Sequence, residues 1–170
     1  HMAGEWRRYV MWLYRTPFGQ GDPEFGHDVS FYVFSLPVLQ SLLSLATTLI
    51  VLSLITAVDM HYLLGGIGQE NGRIRLTRRA RIHFGVLGAI ASLVVALFFW
   101  LSRYNMLLAD NDKFSGASFT DINASLPGRT ILAIAALLIG VLFVQAAVKG
   151  LWKIAGTGIA VGLVTMLVVS

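Results

Sequence analysis

Four stretches of the chain, Val29 to Val58, Ile82 to Ser102, Thr130 to Val148 and Ile154 to Ser170, contain no Asp, Glu, Lys or Arg. Crossing a hydrocarbon core of about 30 Å as helix takes roughly 20 apolar residues. The first two runs exceed that length, the third just reaches it and the fourth stops short. The expected fold is therefore an all-α, multi-pass transmembrane helix bundle, with three full spans and a truncated fourth at about 35–64, 82–104, 128–149 and 154–170. Residues 1–34 are expected to form an interfacial helix and a structured extracytoplasmic loop ahead of a bundle over 35–170.

Composition agrees: 56% of residues are hydrophobic and 13% charged, outside the balance of soluble domains. With no cysteine, disulfides, thiolate metal sites and thiol nucleophiles are excluded. The net charge of +4 is unevenly placed. Arg73, Arg75, Arg78, Arg79 and Arg81 crowd one connector, read here as a loop over 65–81. Basic residues beside spans orient their loop to the cytoplasm and attract anionic lipid headgroups. Nucleic-acid binding would call for interleaved aromatics or a known motif, and neither occurs. Threading outward puts the N-terminal segment and the loop 105–128 on the extracytoplasmic side, with Lys149 and Lys153 back in the cytoplasm. Arg7, Arg8 and Arg15 argue weakly the other way.

No signal peptide follows the start at His1-Met2, which reads as a cloning remnant or a fragment boundary. Trp6, Tyr9, Val10 and Leu13 recur at helical spacing, with the nearby arginines largely off that stripe. This pattern suits a helix lying along the membrane; the tail of a preceding span or an arm packed on the bundle would look the same. From Thr16 to Asp28 the chain is rich in turn residues. Phe31, Tyr32 and Phe34 then stand at membrane entry, where aromatic rings favour the headgroup level, and Pro37 suits a first helical turn.

Pro17-Phe18-Gly19, Asp22-Pro23, Phe25-Gly26, Asp28, Ser30-Phe31-Tyr32-Val33-Phe34 and Leu36-Pro37 together resemble the signature of uncharacterised protein family 0182, large bacterial integral-membrane proteins. His61-Tyr62-Leu63, Gly65-Gly66-Ile67, Leu76-Thr77-Arg78, Ala80-Arg81 and His83 resemble that family's first cytoplasmic loop. Arg103-Tyr104, Gly116-Ala117-Ser118, Thr120-Asp121, Asn123 and Leu126-Pro127 resemble its next outer loop. The resemblance implies an internal piece of the membrane region of a longer protein that also carries earlier spans and a large extracytoplasmic domain. It implies no catalytic residues.

Ionisable groups at membrane depth are functional candidates because burying them there is costly. Asp59, His61 and His83 form such a set near the ends of two spans, suited in principle to a proton or metal site. Against it, Asp59 and His61 are two residues apart, nearly opposite on a helix, and no HExxH spacing occurs. Gln145 with Thr47, Thr48, Ser53 and Thr56 could line a transport path, but such groups usually bond across helices or to their own backbone. Small residues at four-residue spacing, Gly85 with Ala89, Gly88 with Ser92, Ala136 with Gly140 and Gly158 with Gly162, mark faces where helices approach closely, within one chain or at a homo-oligomer seam.

Several apparent motifs fail. Gly65-Gly66-Ile67-Gly68 lacks the GK[ST] of a phosphate loop and reads as an interhelical turn. Asp110-Asn111-Asp112 begins like a calcium loop but continues without the further ligand and glycine. Asn123-Ala124-Ser125 is a glycosylation sequon without meaning in a bacterium, and Asp121 and Asn123 read as local turn formers. The expectation is a membrane-anchoring or scaffold region of a larger protein, with the bilayer, anionic headgroups, the remaining spans and a soluble domain as partners. No enzyme activity and no cofactor are expected. The rival reading is a transporter or channel subunit for a small solute or ion.

Overall fold

A computed structural model describes residues 2–70, 72–105, 110–111, 114–115, 125–150 and 152–169. Asn71, Asp112, Lys113, the Gly116-Ala117-Ser118 and Thr120 pieces, Asp121 and Asn123 lie outside the described residues, as do the side chains of Glu5, Arg73, Asp110 and Lys153. Two compact units, His1–Leu45 and Ala46–Ser170, divide within one long helix.

The first unit begins with α1, Met2–Leu13, somewhat earlier than the apolar stripe suggests. Of that stripe, Trp6 and Leu13 are 59% and 67% exposed, whereas the Tyr9 hydroxyl is hydrogen-bonded to Ser41 Oγ at 3.0 Å. After the turn-rich segment comes a π-helical turn, Phe31–Ser35, which runs directly into α2, Leu36–Leu63. The Leu36 N–H donates to the Phe31 carbonyl, a wider ring than an α-turn. That widening has a local reason, since Pro37 in the first turn of α2 would crowd the carbonyl four residues back in a tighter helix.

In the second unit α2 is followed by β1, Ile67–Glu70, and β2, Arg73–Leu76, an antiparallel hairpin pairing Ile67 with Leu76 and Gly68 with Arg75. The Gly65 to Gly68 stretch is thus not a plain interhelical turn. Alternation of Ile67, Gln69 and Ile74, Leu76 on so short a run is overshadowed by its glycines and arginines, which is why periodicity misses it. Then come α3, Arg78–Asn105, a two-residue hairpin of β3, Asp110–Asn111, and β4, Phe114–Ser115, then α4, Leu126–Lys149, and α5, Trp152–Val169. The start of the calcium-like run is therefore a strand. Because α3 begins at Arg78, the expected five-arginine loop is corrected to two strand residues, Arg73 and Arg75, and three helical ones, Arg78, Arg79 and Arg81.

Phe31–Leu63, Arg78–Asn105 and Leu126–Lys149 are long and apolar enough to cross a membrane. Helix α3 packs along α4, and α4 along α5. Small residues make both contacts: a Cβ added to Gly85 would collide with Ala147, one on Gly88 would lie 2.5 Å from the Phe143 ring, and one on Gly158 would lie 2.5 Å from Leu142. Outward, large side chains such as Leu52, Ile55, Leu137 and Leu138 are exposed. Each end of the α3–α4 pair carries an arginine from the first turns of one helix against the C-terminal end of the other. Arg129 donates to the Ser102 carbonyl of α3, and the Arg81 guanidinium lies against Gly150, the left-handed residue (φ 75°) that closes α4. A cation placed there satisfies the negative end of a helix.

Candidate functional site

Three clusters of polar chemistry stand out, beginning with the turn-rich segment before α2. Asp22 and Asp28 hold it. Asp22 Oδ1 accepts from the Glu24 and Phe25 N–H groups at 2.9 and 2.7 Å, and its Oδ2 from the His27 N–H at 3.0 Å and the Tyr32 hydroxyl at 2.7 Å. Asp28 Oδ1 accepts from the Phe18 and Ser30 N–H groups at 3.0 and 2.8 Å, and Oδ2 from Gly19 at 2.8 Å. The main chain closes on itself between them, Asp22 donating to His27 at 2.8 Å and Val29 to Gln20 at 2.9 Å. Gly26, at φ 68°, takes the left-handed conformation that lets the turn reverse after Phe25.

Partial burial pushes the Asp22 carboxyl up, but the donors from Phe25, Tyr32, Glu24 and His27 together outweigh it and hold the group below its ordinary value. Hydrogen bonds from the Ser30 side chain, then from the Phe18 and Ser30 backbone, hold Asp28 far below that value. Both are carboxylates at neutral pH whose lone pairs are occupied by their own loop. The aromatic residues expected at the headgroup level are part of the same structure: Tyr32 is 6% exposed, Phe31 stacks on His27 with centroids 4.7 Å apart, and Phe34 meets Phe18 edge-on at 5.8 Å.

The second cluster joins the end of α2 to the start of α3. His61 Nε2 and His83 Nδ1 are 3.1 Å apart, so one ring donates and the other accepts. Their centroids are 5.3 Å apart, which leaves both nitrogens near the line between the rings, the arrangement of a shared proton rather than of two lone pairs converging on a metal. Phe84 packs beside both rings. Gly66 presses on the other side of His61: its N–H donates to the His61 carbonyl at 2.6 Å, and a Cβ there would lie 2.7 Å from His61 Nδ1. Of the three ionisable residues singled out in the sequence, the structure thus brings two together. Asp59 is exposed on α2, and among the described residues no group of three or more His, Asp or Glu side chains gathers as metal ligands would.

The third cluster is basic. Ile74, Arg75, Leu76, Arg81 and Gly150 line a cleft of about 540 Å³ between the hairpin and the end of α4. Arg81 Nε is buried there without a hydrogen-bond partner. Nothing in the spacing of the arginines signals this cleft, because Gly150 lies far along the chain. A second hollow, also about 540 Å³ and almost wholly apolar, runs along α3 and α4, flanked by Leu54 of α2 and by Ile159, Gly162 and Met166 of α5.

Of the remaining sequence candidates, the Thr56 hydroxyl donates to the Leu52 carbonyl at 2.6 Å and Ser92 to Gly88 at 2.9 Å, within their own helices, and Gln145 is exposed. Gly140 lies against Ser92 and Ala89, and Gly162 against Ile139. Arg129, which the sequence reading passed over, closes one end of the helix pair; its place in the first turn after Pro127 was the available signal.

A family described as "Uncharacterised protein family (UPF0182)" matches residues 1–170. A UPF0182 protein of Kocuria rhizophila is 41% identical over 98% of this chain and 17% of its own length. One from an Arthrobacter species is 38% identical over 96% of this chain and 16% of its own, and one from Corynebacterium glutamicum 34% identical over 96% and 17%. The chain thus spans about a sixth of these bacterial relatives' length. No solved structure matches.

Proposed function

From the premise that the chain belongs to the uncharacterised family UPF0182, we propose that it is a membrane-anchoring and scaffolding region of a larger bacterial protein whose distinctive chemistry lies outside it. The observation that carries this reading is the division of labour in its side chains. Small residues fill the contacts between helices, large apolar ones face outward, and the strongest polar network, around Asp22 and Asp28, is occupied in holding its own loop.

In this reading α5 is the beginning of a fourth span and α1 an interfacial helix, its exposed Trp6 and Leu13 resting in the headgroup layer. The arginine hairpin is cytoplasmic by the excess of basic residues at its end, and the N-terminal segment and the loop 105–128 are extracytoplasmic. The region neither catalyses a reaction nor carries a cofactor.

Cysteine scanning of this region in the full-length protein, with any cysteine elsewhere replaced, tests this directly, since the region itself has none. In intact cells an impermeant thiol reagent should label Gln20→Cys and spare Gln69→Cys until the membrane is opened. Protease added outside should release a soluble fragment while this region stays in the membrane through an alkaline wash. The reverse labelling pattern overturns the orientation, and recovery of the region in the soluble fraction overturns the anchor.

A further inference from the structure

The two arginines at the ends of the α3–α4 pair belong to a repeat. The interval of chain that separates Arg81 from Arg129 also separates Ser102 from Gly150, the residues those arginines meet on the opposite helix. The same interval relates small residues that are buried in both helices, Gly85 to Ala133, Gly88 to Ala136 and Ser92 to Gly140. Two antiparallel helices carrying one pattern are exchanged by a local two-fold axis, which here passes close to the contact of Ser92 with Gly140.

A seam of this kind is ambiguous in its middle. Small residues recur one turn apart on both helices, so sliding α4 by one turn, about 5.4 Å, sets small against small again. Gly88 would then meet Gly140, Ser92 would meet Ala136, and Gly85 would receive the Phe143 ring that now lies against Gly88. The ends are not ambiguous. After the slide Arg129 would face the body of α3 and Arg81 the body of α4, where the carbonyls are already bonded within the helix. Arg103 and Lys149 also occupy the last turns of α3 and α4, but each moves with the helix that carries it and is indifferent to the slide.

We propose that Arg81 and Arg129 are positioning residues that lock the register of an internally two-fold α3–α4 pair, selecting one of two alignments that the small-residue seam would otherwise accept. Arg129 does so by donating to the Ser102 carbonyl, and Arg81 by seating its guanidinium against Gly150 at the negative end of α4. Polar groups that fix the alignment of an otherwise uniform apolar seam are a known device between helices.

Cysteine pairs in the full-length protein, with any cysteine elsewhere replaced, read the register directly. A Cβ on Gly140 would lie 3.3 Å from that of Ser92, close to the separation found in disulfides, so Ser92→Cys with Gly140→Cys should oxidise readily. Ser92→Cys with Ala136→Cys reports the slipped alignment and should stay reduced. Arg81→Gln and Arg129→Gln together should raise the slipped bridge relative to the native one about tenfold, and each alone should give part of that rise. An unchanged ratio in the double variant overturns the lock, as does a slipped bridge that already forms as readily as the native one in the parent. Loss of both bridges also overturns it, since the arginines would then hold the pair together without choosing its register. A rise that needs only one of the two arginines overturns the two-ended device.

Discussion

Two connectors in this chain are built from similar materials, glycines, aromatic or aliphatic side chains and charges, yet they are held together in different ways. In the segment before α2, the carboxylates of Asp22 and Asp28 turn inward and accept hydrogen bonds from Phe18, Gly19, Glu24, Phe25, His27, Ser30 and Tyr32. Between α2 and α3, the hairpin is held by strand pairing and by the contact of Gly66 with His61. One connector is organised by carboxylates that its own backbone consumes, the other by pairing of the backbone with itself.

The largest effect that would break this contrast is at Asp22. Asp22→Ala removes an acceptor shared by four donors, and the segment should lose on the order of 2 kcal/mol of local stability, water taking over part of the lost bonding. Hydrogen exchange at the amides of Glu24, Phe25 and His27 should accelerate; unchanged protection there would mean that the carboxylate is not the organiser. On the hairpin, Gly66→Ala drives a methyl group into the His61 ring and should cost about 1–2 kcal/mol. Thermal unfolding in detergent would show it, and a neutral result would mean that hairpin and imidazole are not packed together. His83→Phe removes one partner of the histidine pair and should cost about 1 kcal/mol or less, because the 3.1 Å bond is exposed.

Acid should separate the regions differently. A carboxyl held below its ordinary value of 3.8 contributes stability that is fully present above that value and is lost as pH falls through the lower folded one. Protection of the N-terminal segment should therefore persist from pH 7 to about 5 and decline only below about pH 4. Loss of protection between pH 6 and 5 would show that another group governs the segment. The smallest stability effect belongs to Arg79→Gln, at an exposed position in the first turn of α3, expected to stay within about 0.5 kcal/mol of the parent in thermal unfolding, since surface substitutions away from packing rarely do more.

Much of the architecture was readable in one dimension because a bilayer imposes a simple rule. Every backbone group in hydrocarbon must be bonded within the segment, so a charge-free run long enough to cross has little alternative to helix. The interruptions at Asp59, Arg81, Arg103 and Arg129 marked the ends to within a turn. The β1–β2 hairpin escaped notice because strands of four residues give too few alternations to register. The arginine exchange between helix ends escaped because Arg81 and Gly150, or Ser102 and Arg129, are neighbours only once α3 and α4 lie antiparallel.

The chemistry divides along the same line. Spacing alone set Asp59 and His61 on opposite sides of a helix, and with it the improbability of a joint site, because helical geometry is local. Whether His61 would meet His83 depended on where the end of α2 comes against the start of α3, and whether a basic cleft and an apolar hollow would form depended on the distance and rotation at which α3 packs on α4. Those are decided by which small residues let backbones approach. By itself, then, the sequence determined the number of long apolar helices and the local bonding of the Asp22–Asp28 turn, since both follow from interactions between near neighbours in the chain. The pairing of the histidines, the capped helix ends and the hollow between the helices were decided only by tertiary packing, where van der Waals fit joins residues that sequence distance keeps apart.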